Sequence, residues 1–281
     1  MSMTWAYGVL PLAPIFTLAD RKMGNRMKKT KRNPILAAAL AALAALYGQG
    51  AGAAEPGVFS LTAGFDYSSG KYGADATTDI LYLPIIGRYE TGPWVFKLTV
   101  PYIQIDGPGN VVRDIGVVRR GAAPRTTESG LGDIVAAASY NVYGEKGPDP
   151  LIVDLTDKIK FGTADETKGL GTGENDYALQ VDLYKSIGRF TPFGTLGYRV
   201  LGEPAGIELN NVWYASLGGS YKFTRQTSGG LIFDYREKAS LAGAPQRELT
   251  AFVVHRFDKA WKAQGYAVGG FADGSPDWGV G

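Results

Sequence analysis

The sequence predicts an all-β protein, a transmembrane up-and-down antiparallel β-barrel of about 12 strands. Three observations point there. From Val58 onward, stretches of about ten residues alternate apolar with polar or small side chains, the period of a strand with two unlike faces. Connections between these stretches alternate short and long, as in barrels with tight periplasmic turns and long outer loops. Outside the N-terminal region no run of about eighteen apolar residues occurs, so spanning helices are not expected there.

The strands are expected at Gly57–Tyr67, Thr78–Tyr89, Trp94–Ile105, Leu131–Tyr143, Leu151–Gly162, Asp176–Ile187, Phe190–Leu201, Asn211–Phe223, Ser228–Glu237, Arg247–Phe257 and Trp261–Phe271. Each is long enough to cross a bilayer at the usual tilt, which takes about nine to eleven residues. In the first, Phe59, Leu61, Ala63, Phe65 and Tyr67 share one face, opposite Ser60, Thr62, Gly64 and Asp66. In the fifth, Leu151, Val153, Leu155, Ile159 and Phe161 lie opposite Asp154, Thr156, Lys158 and Lys160. Asp157 breaks that pattern, which implies either a lipid-facing carboxylate or a slip of register. Leu231, Phe233 and Tyr235 oppose Asp234 and Arg236, and Leu249, Ala251, Val253 and Phe257 oppose Glu248, Thr250, Arg256 and Asp258. A soluble sandwich turns such a charged face to water, whereas a membrane barrel turns it to the lumen.

The short connections fall at Glu90–Pro93, Ser186–Arg189, Thr224–Thr227 and Asp258–Ala260, with Gly144–Pro150 somewhat longer. Ser68–Thr77, Asp106–Gly130, Thr163–Asn175, Gly202–Asn210 and Lys238–Gln246 are the long ones, and a periplasmic N-terminus places them outside the cell. Eleven strands conflict with the even numbers of bacterial barrels. Asp277-Trp278-Gly279-Val280-Gly281 reads as the opening of a twelfth, truncated strand, so the first and eleventh strands are expected to be left without the partner between them and the barrel to close poorly.

Met27-Lys28-Lys29-Thr30-Lys31-Arg32, the apolar stretch Ile35–Leu46 and Ala51-Gly52-Ala53-Ala54 form the n-region, h-region and cleavage site of an export signal. The expected organisation is therefore an over-called upstream extension over 1–26, a signal peptide over 27–54 and a barrel domain over 55–281. Residues 1–54 hold seven of the 29 basic residues and one of the 27 acids, so the remainder sits near −4 and loses the electrostatic case for nucleic-acid binding. The absence of cysteine removes thiolate chemistry and Cys-ligated metals.

The run Val153-Asp154-Leu155-Thr156-Asp157-Lys158-Ile159-Lys160-Phe161-Gly162-Thr163-Ala164-Asp165, the stretch Lys168–Tyr177 containing Gly169-Leu170-Gly171-Thr172-Gly173, and Gly274-Ser275-Pro276-Asp277-Trp278-Gly279 resemble the outer-membrane barrel family named for the MetA-pathway of phenol degradation. The likeness runs from about Phe65 to the C-terminus. It implies an outer-membrane barrel of transporter type in a Gram-negative bacterium, and bears on substrate only through that name. Asp157 stands where the resemblance implies a small residue.

His255 is the only histidine, which excludes metal sites needing two within one chain. On a lipid-facing parity near a periplasmic turn, it reads as part of an interfacial girdle in preference to the base of a lipid hydrolase. The glycine-rich Gly169–Gly173 segment lacks a following helix and a Lys-Ser/Thr ending, so it reads as a flexible outer loop and not a phosphate cradle. Asp165, Glu166, Glu174 and Asp176 cluster around it without EF-hand spacing, and are read as solvated. The candidate site is the polar parity of the wall: Lys97, Asp133, Asp154, Lys158, Lys160, Asp182, Arg199, Asp234, Arg236 and Arg256 are expected to line the lumen. The loop Asp106–Gly130, with Arg113, Arg119, Arg120 and Arg125, is expected either to fold in as a constriction or to meet lipopolysaccharide outside. The function expected is passage of small molecules, aromatic or otherwise apolar ones included, into the periplasm, with no catalysis, metal or cofactor. The alternatives are a structural or adhesive barrel with a plugged lumen and, third, a lipid-modifying enzyme. The expected partners are outer-membrane lipids, lipopolysaccharide and the barrel-assembly machinery.

Overall fold

A computed structural model describes residues 57–118, 124–144 and 146–281; the expected upstream extension and signal peptide lie outside the described residues, as do Arg119 and Arg120. The strands are β1 (Val58–Ala63), β2 (Asp66–Gly70), β3 (Thr78–Thr91), β4 (Trp94–Pro108), β5 (Val111–Val112), β6 (Gly116–Val117), β7 (Arg125–Leu131), β8 (Ile134–Gly144), β9 (Leu151–Phe161), β10 (Asp176–Lys185), β11 (Phe190–Val200), β12 (Val212–Lys222), β13 (Thr227–Arg236), β14 (Gln246–Arg256), β15 (Lys262–Gly270) and β16 (Trp278–Val280). All but β5 and β6 belong to one antiparallel sheet that returns on itself, since β16 pairs with both β15 and β2. β1 with β2, and β7 with β8, each occupy one place in the wall, so the barrel has twelve wall positions. β5 and β6 form a separate two-stranded hairpin.

The expected strand Gly57–Tyr67 is interrupted at Gly64, and the strand expected from Leu131 is preceded across Gly132 by β7, in the expected long loop Asp106–Gly130; prolines explain both breaks. Pro84 of β3 and Pro101 of β4 stand opposite each other. Neither has an N–H to give a neighbour. Gly64, between β1 and β2, donates its N–H to the Pro84 carbonyl at 2.8 Å, and Gly132, between β7 and β8, donates to Pro101 at 2.9 Å. A Cβ at Gly64 would lie 2.9 Å from the Pro84 ring and one at Gly132 3.0 Å from the Pro101 ring, so a Gly-Pro-Pro-Gly row crosses the wall.

The eleven-strand count is completed by the short twelfth position. β16 pairs Trp278, Gly279 and Val280 with Ser69, Ser68 and Tyr67 on one side and with Gly269, Val268 and Ala267 on the other. Tyr266 and Gly281 then exchange N–H···O bonds in both directions, 2.9 and 3.0 Å. The expected gap is therefore bridged in its loop half, while β1 below takes its ladder from β3.

The distribution of side chains is inside-out relative to a soluble protein. Phe59, Leu61, Leu98, Leu179, Leu196, Leu217, Leu231 and Val253 are exposed on the outer face, while Lys158, Lys160, Asp176, Asp182 and Arg199 are buried within. Aromatic pairs stand at the loop ends (Tyr198 with Trp213, ring centroids 5.0 Å apart) and at the turn ends (Tyr221 with Phe223, 5.6 Å; His255 with Phe257, 4.8 Å). An apolar wall closed on itself, with its charges inside, makes the chain an outer-membrane β-barrel.

Asp157 does not mark a register slip. It stands between Ala138 and Leu179 in regular ladders, and the irregularity of β8 lies further on, between Asn141 and Tyr143. Alternation therefore holds through β9, and Asp157 projects outward, half-buried among lipid-facing neighbours.

Candidate functional site in the lumen

The middle of the lumen is a hydrogen-bonded polar layer built by strand parity. Asp182 on β10 accepts from Gln180 Nε2 at 2.8 and 2.7 Å, from Thr195 Oγ1 of β11 at 2.6 Å and from Thr156 Oγ1 of β9 at 3.2 Å. Tyr214 of β12 donates its hydroxyl to Gln180 Oε1 at 2.9 Å. Lys158 lies over the Tyr214 ring, 5.9 Å from its centroid. Nearer the loops, Asp176 Oδ2 accepts from Arg199 Nη2 at 2.5 Å and from Lys160 Nζ at 3.2 Å, while its Oδ1 accepts the Gly202 N–H at 3.0 Å. Lys160 also reaches Asp133 at 3.0 Å and Thr172 at 3.1 Å. Buried charges of both signs thus satisfy one another across β8 to β11, as a low-dielectric lumen demands.

The remaining residues expected in the lumen sit as follows. Lys97 is the ladder partner of Arg88, on the inward parity shared with Thr99 and Ile103. Asp154 accepts from Asn141 Nδ2 at 2.7 Å. Asp234 is buried opposite Glu248, Arg236 is level with Tyr214, and Arg256 pairs with Lys262 at the turn end. The candidates do not form one cluster: Asp133, Lys160 and Arg199 meet around Asp176, whereas Arg256 lies at the opposite end. Asp176, Gln180 and Glu248 also face inward, and all three share the parity of residues already singled out in their strands. Arg88 and Asp66 were findable by the same rule.

The mouth is built differently. The β5–β6 hairpin folds into the lumen, and Val111, Val112, Ile115 and Val117 are nearly fully buried. On one side they join Tyr72, Ile80, Tyr82, Ile103, Ile105 and Leu170, and on the other Leu201, Leu209, Val212 and Ala239. Burial of each such side chain contributes roughly 1.5–3 kcal/mol. The hairpin therefore spans the lumen between the β3–β4 wall and the β11–β12 loop, closing the outer end.

The Gly169–Gly173 segment is part of this closure rather than a free outer loop. Leu170 enters the apolar cluster and Thr172 meets Lys160. The acids around it do not converge. Asp165 caps a short 3-10 turn by accepting from Thr167 N at 3.0 Å and Oγ1 at 2.6 Å, while Asp176 turns inward to Arg199. Among the described residues no group of three or more His, Asp or Glu is placed to hold a metal ion.

The arginines of the long loop divide. Arg113 enters the lumen with its guanidinium carbon 3.4 Å from the Tyr82 ring centroid, near Asp114 (3.9 Å) and Asp66 (4.0 Å). Arg125 stays on the rim, with Nε 2.6 Å from Asp106 and Nη2 3.3 Å from Asp79. His255 is at the turn end, its Nδ1 2.9 Å from Thr227 Oγ1 and its ring edge-on to Phe257, a girdle position.

Tyr82, Ile103, Val112, Ile115, Lys160 and Arg199 are among the residues that line a narrow cavity of about 30 Å³ between plug and polar layer. One side is aromatic and aliphatic, the other charged.

A closed barrel with a lipid-facing apolar wall, a filled polar middle and an inward hairpin belongs to the class of outer-membrane β-barrels. Its fold is similar to the crystal structure of an outer membrane channel from Pseudomonas putida F1, with a TM-score of 0.58 and 15% identity over 80% of this chain and 91% of that one. No family model matches the chain and no curated protein matches it by sequence, so the resemblance to phenol-degradation barrels rests on the quoted segments alone.

Proposed function

We propose that the chain is an outer-membrane channel that passes small molecules, aromatic and other apolar ones included, into the periplasm. The observation that carries this reading is the two-faced lining of the lumen beneath the mouth, apolar on one side and charged on the other. Tyr82, Ile103, Val112 and Ile115 on one side suit an apolar body, and Asp133, Lys160 and Arg199 on the other suit a polar substituent. The mixed charge of the lumen predicts weak discrimination between anions and cations. The fold shared with an outer membrane channel supports the same reading. Outer-membrane lipids and lipopolysaccharide are the surroundings this wall and rim would meet, and the barrel-assembly machinery the route there.

The test is planar-bilayer conductance and liposome swelling with the refolded chain. Small, weakly selective steps and faster entry of small aromatic solutes than of sugars of similar size are expected. A second reading is favoured by the hairpin itself: a plugged barrel acting through its loops. It predicts no conductance under any condition, and loss of adhesion or of envelope integrity when Asp106–Gly130 is trimmed.

A further inference from the structure

If the chain is a channel, the hairpin that closes its mouth has to leave, and the structure concentrates strain and incomplete pairing at that contact. The two non-glycine residues with left-handed backbone among the described residues are Tyr72 (φ 52°) and Asp114 (φ 66°). Both belong to the plug contact: Tyr72 gives its carbonyl to Val117 N at 3.2 Å, and Asp114 lies at the hairpin tip beside Gly116 (φ 85°). A Cβ at Gly116 would come within 2.8 Å of the Tyr72 carbonyl oxygen. Such conformations cost on the order of 1–3 kcal/mol each and persist where the surroundings hold them.

Arg113 adds a second feature. Its guanidinium is stacked on Tyr82, its Nη1 is buried without a hydrogen-bond acceptor, and both nearby carboxylates stand beyond hydrogen-bond range. A further polar tie runs from Ser240 Oγ, in the β13–β14 loop, to the Val117 carbonyl. Apolar burial and the Arg113–Tyr82 stack thus favour the docked state, while backbone strain opposes it. Opposed terms within one contact are the physical condition for a two-state element.

We propose that residues 109–118 are the gate of the lumen, that the Arg113–Tyr82 stack is its latch, and that the closed barrel described above is one of two states. The inference rests on the channel reading, because a barrel that passes nothing needs no gate.

The experiment compares four forms of the full chain in planar bilayers, with folding of each checked by heat-modifiable gel mobility. Replacing 110–118 by a glycine-serine linker should leave the barrel constantly open with a larger unit conductance. Arg113→Gln should keep the unit conductance and raise the ratio of open to closed time roughly tenfold; Arg113→Lys, which retains the charge but stacks less well, should fall between. In a chain without cysteine, Val117→Cys with Ser240→Cys should cross-link the hairpin to the β13–β14 loop packed on it, giving silence when oxidised and wild-type steps on reduction. Steps that persist in the oxidised, cross-linked protein would overturn the gate, as would an Arg113→Gln variant with unchanged open time. A linker variant that is itself silent would instead overturn the channel reading.

Discussion

The mid-lumen layer and the mouth occlude the same barrel by opposite means. In the middle, Asp176 and Asp182 are each held by three donors, two of them on the flanking strands β9 and β11, so the layer is fixed by the sheet. At the mouth, Val111, Val112, Ile115 and Val117 seal by apolar contact, on a hairpin that shares no ladder with the wall. The difference separates rigidity from closure. A directional network between adjacent strands stabilises the barrel itself, whereas non-directional packing of a separate hairpin can be undone while the barrel stays folded.

The largest effect is expected from Asp176→Ala. Removing this carboxylate leaves Arg199 and Lys160 buried side by side with one acceptor fewer. Breaking a buried pair from one side costs about 3–5 kcal/mol. Global unfolding by urea in detergent should shift accordingly, without new cleavage in the hairpin. An unchanged midpoint would show that the layer does not stiffen the wall.

Ile115→Ala tests the other half of the comparison. It removes buried aliphatic volume from the plug, a change worth about 2 kcal/mol at the lower end for such truncations. That loss should fall on docking: limited proteolysis within 109–118 should accelerate on the order of tenfold or more, with the global unfolding midpoint nearly unmoved. If the global midpoint falls in step with cleavage, hairpin and wall form one cooperative unit and the contrast collapses.

The same contrast explains what was legible in the sequence. Strand positions and facings followed from period-two alternation, so Lys158, Lys160, Asp182 and Arg199 could be placed inward before any fold was known. The interruption at Gly64 was missed because alternation continues through it, and β7 beyond Gly132 was missed because its polar residues read as part of the long loop; the signal for both breaks was Pro84 and Pro101, which only the register sets face to face. The mouth was not legible at all in detail. A loop has no parity, so nothing local distinguishes Arg113, which enters the lumen, from Arg125, which remains on the rim. Leu170 was hidden likewise, since a glycine-rich stretch reads as a free loop until the apolar cluster that receives it is known. Asp157 shows the limit from the other side: its outward position was implied by parity and resisted only because a carboxylate on a lipid face is costly.

Arg125→Ala should have the smallest effect, and it isolates the role of the surroundings. Its chemistry mirrors that of the Asp176 site, one guanidinium shared between two carboxylates in place of one carboxylate between two cations, with Nε 2.6 Å from Asp106 and Nη2 3.3 Å from Asp79. Yet its side chain is 51% exposed on the rim, where water and salt screen the pair and holding a long side chain in place offsets much of the attraction. The expected loss is under about 1 kcal/mol in low salt and vanishes near molar salt, while the Asp176→Ala defect persists across the same range because the lumen excludes most of the screening ions. A salt titration of both variants reads this directly. Equal salt dependence would mean that the middle layer is as wet as the rim, and the distinction between a rigid dry network and a removable apolar plug would have to be given up.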